Sequence, residues 1–215
     1  MFCDPPGSTL EAWLARHAQS YLESTKDLSL RIQPSDLQVR AYIDASYAIH
    51  PGSRSHYGVA ICLVHQGYAF HTKSGAIKVV CRSSTEAELH AANEARSDIL
   101  HTVDLLNELN IKQQSVPIYE DNQAVITMMT RNEINFQTKS KHVQIRYDFL
   151  REQVAAGILS FLYLSTDPQL ADLMTKPLIG DKFLYFRDCL MGAVAHKPYT
   201  DVGAHLLNGE GCVKK

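Results

Sequence analysis

Val39-Arg40-Ala41-Tyr42-Ile43-Asp44-Ala45-Ser46 is the stretch on which the fold turns. Val39, Ala41, Ile43 and Ala45 recur at every second position, which is the period of a strand with one face on a core. The other face carries Arg40, Tyr42, Asp44 and Ser46, so a carboxylate projects opposite the aliphatic side. Downstream, Pro51-Gly52-Ser53 marks a turn, and Tyr57 to Val64 and Tyr68 to Thr72 read as strands joined at Gln66-Gly67. Three strands in succession predict an antiparallel meander.

The period then changes to that of a helix. From Ser83 to Asn110, Leu89, Ala92, Ile99, Val103 and Leu106 form an apolar stripe, and Ser83 with Glu86 has the spacing of a capping box. Val116 to Glu120 is a short strand running into Asp121-Asn122, and Ala124 to Thr130 is helical. His142 to Ala156 sets Val143, Tyr147, Leu150 and Val154 on one face, Gly157 ends it, and Ile158 to Leu164 reads as a buried strand. Asp167-Pro168 is expected to open a last helix holding Ala171, Asp172 and Met174, with Asp167 as its cap. A meander followed by strands alternating with helices predicts an α/β fold with a mixed sheet covered on both faces.

Around this domain, at residues 37–192, the sequence predicts two flanking pieces. Residues 1–36 hold Leu10, Trp13, Leu14, Ala18, Tyr21 and Leu22 at helical spacing and read as a helical leader; residues 193–215, with Gly203, Gly209 and Gly211, read as a flexible tail. With 215 residues, 45% of them hydrophobic and 20% charged, the chain can bury one sizeable core and is not of the low-complexity kind. Its apolar runs are too short for the roughly 20 residues of a membrane span, and Met1 to Ala12 lacks the pattern of a secretory signal. Five cysteines, far apart and without Cys-x-x-Cys spacing, are expected to be reduced and structural. A formal net charge of −2 means that nucleic-acid binding has to come from a local patch. Arg131, Lys139, Lys141, Arg146 and Arg151, interleaved with Asn135, Gln137 and Thr138, supply one; the same charges also read as a solvated helix face balanced by Asp148 and Glu152.

Four acids stand where sheet-based active sites are built: Asp44 on the first strand, Glu88 early in the long helix, Asp121 at a strand end and Asp172 in the last helix. Carboxylates about 4 Å apart repel by roughly 4 kcal/mol per pair at an effective dielectric near 20, so convergence would demand protons, cations or metal. Hard oxygen donors favour magnesium or manganese, and two such ions can drive an in-line phosphodiester displacement. Taken singly, an acid at a strand end is more often a cap or a turn former than a ligand.

The strings Tyr42-Ile43-Asp44-Ala45-Ser46-Tyr47, Ser83-Ser84-Thr85-Glu86-Ala87-Glu88-Leu89, Tyr119-Glu120-Asp121-Asn122-Gln123 and Gln169-Leu170-Ala171-Asp172-Leu173-Met174-Thr175-Lys176-Pro177-Leu178 resemble, in order, the ribonuclease H domain of copia-type long-terminal-repeat retrotransposon Pol polyproteins. Thr138-Lys139-Ser140-Lys141-His142 and Ile145-Arg146-Tyr147 lie between the third and fourth. Tyr21 to Leu28 is similar to the segment that connects the reverse transcriptase to its nuclease. The resemblance implies a ribonuclease H-like three-layer fold with a five-stranded mixed sheet. It implies an intracellular enzyme, in a cytoplasmic virus-like particle or the nucleus, that cuts the RNA strand of RNA-DNA hybrids and leaves a 3′-hydroxyl and a 5′-phosphate. It also implies two Mg2+ ions, with Mn2+ as a substitute, and the reverse transcriptase as partner. The metal ligands would be Asp44, Glu88, Asp121 and Asp172; Glu86 is the alternative to Glu88, but the capping-box position assigns Glu86 to the backbone, whereas Glu88-Leu89-x-Ala resembles the wider ribonuclease H pattern for the catalytic acid. His142 matches a family histidine and would transfer a proton or assist product release, or else is a surface residue. Ser46, Asn122, Gln123, Lys139, Lys141 and Arg146 would bind nucleic acid. No Tyr-x-Asp-Asp polymerase site or Asp-Ser/Thr-Gly protease signature is present, so a fragment or stand-alone derivative is expected. Another metal nuclease of the same architecture, or a silent binding remnant, are the competing expectations.

Overall fold

The computed structural model describes residues 9–32, 36–63, 68–131 and 141–194, without the side chain of His142. Two compact units divide the chain, Met1–Leu30 and Arg31–Lys215. In the first, α1 (Leu10–Ser24) is capped by Thr9, whose hydroxyl oxygen accepts from the Ala12 N–H at 3.3 Å, and none of its residues is buried.

The second unit contains β1 (Arg40–His50), β2 (Arg54–Cys62), β3 (Ala69–Ala76), α2 (Ser84–Glu108), β4 (Val116–Glu120), α3 (Gln123–Thr130), α4 (Lys141–Ala155), β5 (Leu159–Tyr163), α5 (Asp172–Thr175) and α6 (Gly180–Leu190). The strands form one sheet in the order β3-β2-β1-β4-β5. β1 pairs antiparallel with β2 and β2 with β3, whereas β4 lies parallel to both β1 and β5. This is the mixed five-stranded sheet expected from the meander and the helix-linked strands that follow.

Both faces of the sheet are covered, which makes three layers. Val39, Ala41 and Ile43 pack with Leu89 and Ile99 of α2 and Leu150 of α4. On the other face Tyr42 stacks on Tyr119, ring centroids 4.9 Å apart, and packs with Leu170, Phe186 and Cys189. The polar-looking side of β1 is therefore interior: Arg40, Tyr42 and Asp44 are all buried. Arg40 is satisfied there by the Asp36 carboxylate at 2.6 Å.

Two local expectations are corrected. Asp167-Pro168 does not open a helix; the segment descends through tight turns, with Gln169 N–H donating to Thr166 O at 3.2 Å and Asp172 N–H to Gln169 O at 3.1 Å, and α5 is a single turn. The three-residue bonding closes tighter than an α-helix and keeps the chain against the sheet. α6, which no sequence feature above anticipates, buries Phe186, Cys189 and Leu190. The tail at 195–215 and the join at Gln66-Gly67 lie outside the described residues. Among those described, no helix is long and apolar enough to cross a membrane.

Candidate metal centre

Each acid reaches the site by a local rule. On β1, Asp44 is delivered by strand alternation to the face opposite Ile43, next to Gly58 in the register of β2. Gly58 is needed there: a Cβ would come within 2.7 Å of Met174 Cβ and 2.9 Å of the Ala171 carbonyl, so only glycine lets the α5 turn lie on the sheet. Glu88 follows the N-terminus of α2, which Ser83 caps by accepting from the Glu86 N–H at 3.1 Å. Glu86 turns back and accepts from the Arg82 N–H at 2.8 Å, so of the two glutamates Glu86 serves the cap and Glu88 enters the cluster. Asp121 closes β4 and accepts from the Thr166 hydroxyl at 2.7 Å.

One carboxylate oxygen from each of Asp44, Glu88 and Asp121 lies within 4.8 Å of the other two. Asp172 stands beside this triad, outside its mutual 4.8 Å, and is tied to it by a lysine. Lys176 Nζ donates to Asp172 at 2.6 Å and to Asp44 at 3.3 Å, and Lys182 Nζ lies 3.7 Å from Asp172. The Thr175 hydroxyl also donates to Asp44. Burial works against the Lys176 ammonium, but its bonds to Asp172 and Asp44 outweigh this and hold its pKa above the ordinary lysine value. Burial, opposed by that ammonium, raises Asp172.

A fifth acid went unnoticed in the sequence. Glu120 is completely buried, sharing the α2-facing side of β4 with Val116 and Ile118. Its Oε1 accepts from the Asn122 N–H at 2.8 Å, while its Oε2 and the Oε2 of Glu88 are buried with no hydrogen-bond partner. Burial pushes both carboxyls up, reinforced at Glu88 by Glu120, Asp44 and Asp121 and at Glu120 by Asp121 and Asp44. The period-two pattern Val116-x-Ile118-x-Glu120 on a strand buried on both faces is the signal that finds it.

An all-carboxylate donor set with two orphaned buried oxygens fits a hard divalent cation, which would supply the missing partner and relieve the mutual repulsion. Asp44, Glu88 and Asp121 would hold it. Among the described residues these three form the one group of acids, histidines and cysteines close enough to do so.

The other expected residues are placed as follows. Ser46 donates to the Thr175 carbonyl at 3.2 Å, and the Asn122 side-chain oxygen caps α3 by accepting from Ala124 and Val125 N–H groups, at 3.0 and 3.3 Å. Both sit beside the acids. Gln123 and Lys141 are exposed, and Arg146 is half-buried on α4. Arg151 joins two elements instead of facing solvent, donating to Arg131 O at 2.8 Å and Met128 O at 3.3 Å. His142 lies in the first turn of α4 with its side chain undescribed, and Lys139 lies outside the described residues.

No protein-family model matches the chain. It is 33% identical over 171 residues, 77% of its length, to the retrovirus-related Pol polyprotein from transposon RE1 of Arabidopsis thaliana. A second relative, the Pol polyprotein from transposon TNT 1-94 of Nicotiana tabacum, is 31% identical over 190 residues, 85% of the chain. The chain spans only 11% and 13% of these two polyproteins. A solved structure of LC11-RNase H1 with an RNA/DNA hybrid aligns to 64% of the chain and 93% of its own, at 18% identity and a TM-score of 0.48.

Proposed function

We propose, on the premise that this chain belongs with the retrovirus-related Pol polyproteins of plant transposons, that it is the ribonuclease H segment of such a polyprotein, hydrolysing the RNA strand of RNA-DNA hybrids. The observation that carries the reading is the meeting of Asp44, Glu88 and Asp121 within 4.8 Å, from three elements spread over nearly eighty residues. The reading places the reaction inside the cell, during reverse transcription, with the polymerase part of the polyprotein as partner.

Divalent ions, Mg2+ or Mn2+, would supply charge neutralisation and water activation for an in-line displacement that leaves a 3′-hydroxyl and a 5′-phosphate. Asp44, Glu88 and Asp121 would hold a first ion, and Asp172 would join Asp44 around a second. The protein's own part is preorganisation. Thr175 and Lys176 fix the Asp44 carboxylate, Thr166 fixes that of Asp121, and Lys176 fixes that of Asp172. Glu120, whose carboxyl burial pushes up, brings a fifth carboxyl to the cluster. Ser46, Asn122 and Gln123 contact the hybrid next to the acids, Lys139, Lys141 and Arg146 contact backbone, and His142 handles a proton or helps product leave.

A labelled RNA-DNA hybrid incubated with the chain and Mg2+ tests this. Metal-dependent RNA cleavage, blocked by EDTA and absent in Asp44→Asn, is the expected result. Cleavage of duplex DNA without a hybrid would assign another nuclease chemistry, and hybrid binding without cleavage at any Mg2+ concentration would make the chain a silent remnant.

A further inference from the structure

The face of the sheet that carries Asp44 also carries a line of hydrogen bonds outside the acid cluster. Asp44, Gly58 and Ser74 stand opposite one another on β1, β2 and β3, and Ser46 and His56 pair in the next row on the same face. His50 follows on β1, past an irregularity in the pairing. His50 Nε2 lies 2.7 Å from His56 Nδ1, His56 Nε2 lies 2.8 Å from the Ser74 hydroxyl, and that hydroxyl donates to the Met174 carbonyl at 2.7 Å.

Chemistry gives this line one direction. A hydroxyl has a single proton, and Ser74 gives it to Met174, so its oxygen accepts from His56 Nε2–H. Burial and the neighbouring His50 pull His56 below its ordinary pKa, against the Met174 carbonyl, which favours the neutral ring. A neutral imidazole with its proton on Nε2 accepts on Nδ1, so His50 donates there from its own Nε2.

Met174 belongs to α5, which has little of its own to hold it in place. This element is four residues long, has no side-chain cap, and leaves its last carbonyls without partners inside the helix. Two of them are met by hydroxyls of the sheet, Met174 O by Ser74 and Thr175 O by Ser46. The same turn carries Asp172, and at its end Thr175 and Lys176 both bond Asp44. His50 and His56 are half-buried and Ser74 is exposed, where a hydrogen bond adds only modestly to global stability, so their leverage falls on the placement of this turn.

We propose that His50, His56 and Ser74 are positioning residues for the metal centre: they hold the α5 turn against the sheet and through it fix Asp172 and the bonds of Thr175 and Lys176 to Asp44. This role rests on the reading of these acids as metal ligands.

The test uses the full chain. In ring-nitrogen NMR of the metal-free protein, His56 is expected with its proton on Nε2 and a bare Nδ1; the opposite tautomer overturns the proposal. Ser74→Ala is expected to raise the Mg2+ concentration for half-maximal cleavage of an RNA-DNA hybrid about ten-fold and to lower kcat, with KM for the hybrid unchanged. Ser74→Thr, which keeps the hydroxyl, should restore both, and the exposure of Ser74 keeps either change out of the core. His56→Phe and His50→Ala should shift the Mg2+ dependence the same way by less, and neither should add to Ser74→Ala, because all three act through one carbonyl. Unchanged Mg2+ dependence and kcat in Ser74→Ala overturn the proposal and leave the nuclease reading standing. So does a rise in KM alone, which would make Ser74 a substrate contact. Additive effects of Ser74→Ala and His56→Phe would assign the histidines to the stability of the β1–β2 hairpin and likewise overturn it. If the chain cleaves no hybrid at any Mg2+ concentration, the nuclease reading falls, and calorimetric titration with Mg2+ alone decides the positioning role. Affinity weakened several-fold in Ser74→Ala and regained in Ser74→Thr then carries it; equal affinity in all three proteins removes it.

Discussion

Asp44 is held by the Thr175 hydroxyl and the Lys176 ammonium, Asp121 by the Thr166 hydroxyl, and each can be replaced by asparagine at almost constant shape. Asp44→Asn and Asp121→Asn are expected to reduce hybrid cleavage to background while the melting temperature of the metal-free protein is kept or raised, since each removes one charge from a repelling set. Loss of activity together with loss of fold would show instead that these side chains are structural. The raised carboxyls give a second expectation. A group whose folded pKa exceeds its unfolded value binds protons more tightly when folded, so stability is lost as pH climbs from the ordinary 4.5 toward the raised value. In EDTA the protein should therefore melt at lower temperature as pH rises through that window. Glu120→Gln should flatten the decline, read as the difference between the two melting curves at each pH. Strand period, capping box and strand end placed Asp44, Glu88 and Asp121 locally, but only the resemblance of their strings to a known family set them apart from caps and turn formers. Glu120 sits in a readable period-two pattern, but its complete burial comes from β1 and β5 pairing on either side of β4, contacts distant in sequence. The position of Asp172 was legible, but its bond to Lys176 depends on a turn whose geometry the Asp167-Pro168 pair misrepresents.

Among the elements, α5 is the most exacting, a single turn that carries Asp172 and is seated on Gly58. Gly58→Ala forces a Cβ to 2.7 Å from Met174 and is expected to cost about 1–3 kcal/mol by overpacking, and to lower cleavage further than stability alone would, by displacing Asp172. Gly157→Ala is the matched control. Its φ of +72° strains any side chain, by about 1–2 kcal/mol, but the surrounding space is open and the site distant in the fold, so activity at a permissive temperature should survive. Chemical denaturation and initial rates on both variants separate the two effects. At this scale the meander and the helices α2, α3 and α4 were readable from period alone, as was α1. α6 was missed because Gly180–Leu190 is polar on much of its surface and owes its burial to the far face of the sheet, which the β1 pattern presents as polar.

For the molecule as a whole, the topology sets the working part at the centre. β1 is the middle strand, bonded to β2 on one side and β4 on the other, so the acids of β1 and of the end of β4 become neighbours only when the parallel pairing forms. Because the folded chain alone presents the triad, a bound divalent ion should stabilise it, by about 2.7 kcal/mol at a hundred times the dissociation constant. Scanning calorimetry with and without Mg2+ measures that shift, and Asp44→Asn should shrink it. An unshifted wild-type melting curve at millimolar Mg2+ or Mn2+ would count against the metal centre.

The lysine between Asp44 and Asp172 has one more consequence. An ammonium supplied by the chain itself is a counter-ion that chelators do not remove. It is expected to let the polypeptide reach its native form before any cation arrives. Starvation for magnesium would then idle the protein without denaturing it, and returning the ion would restore full function within the time of mixing, with no refolding phase.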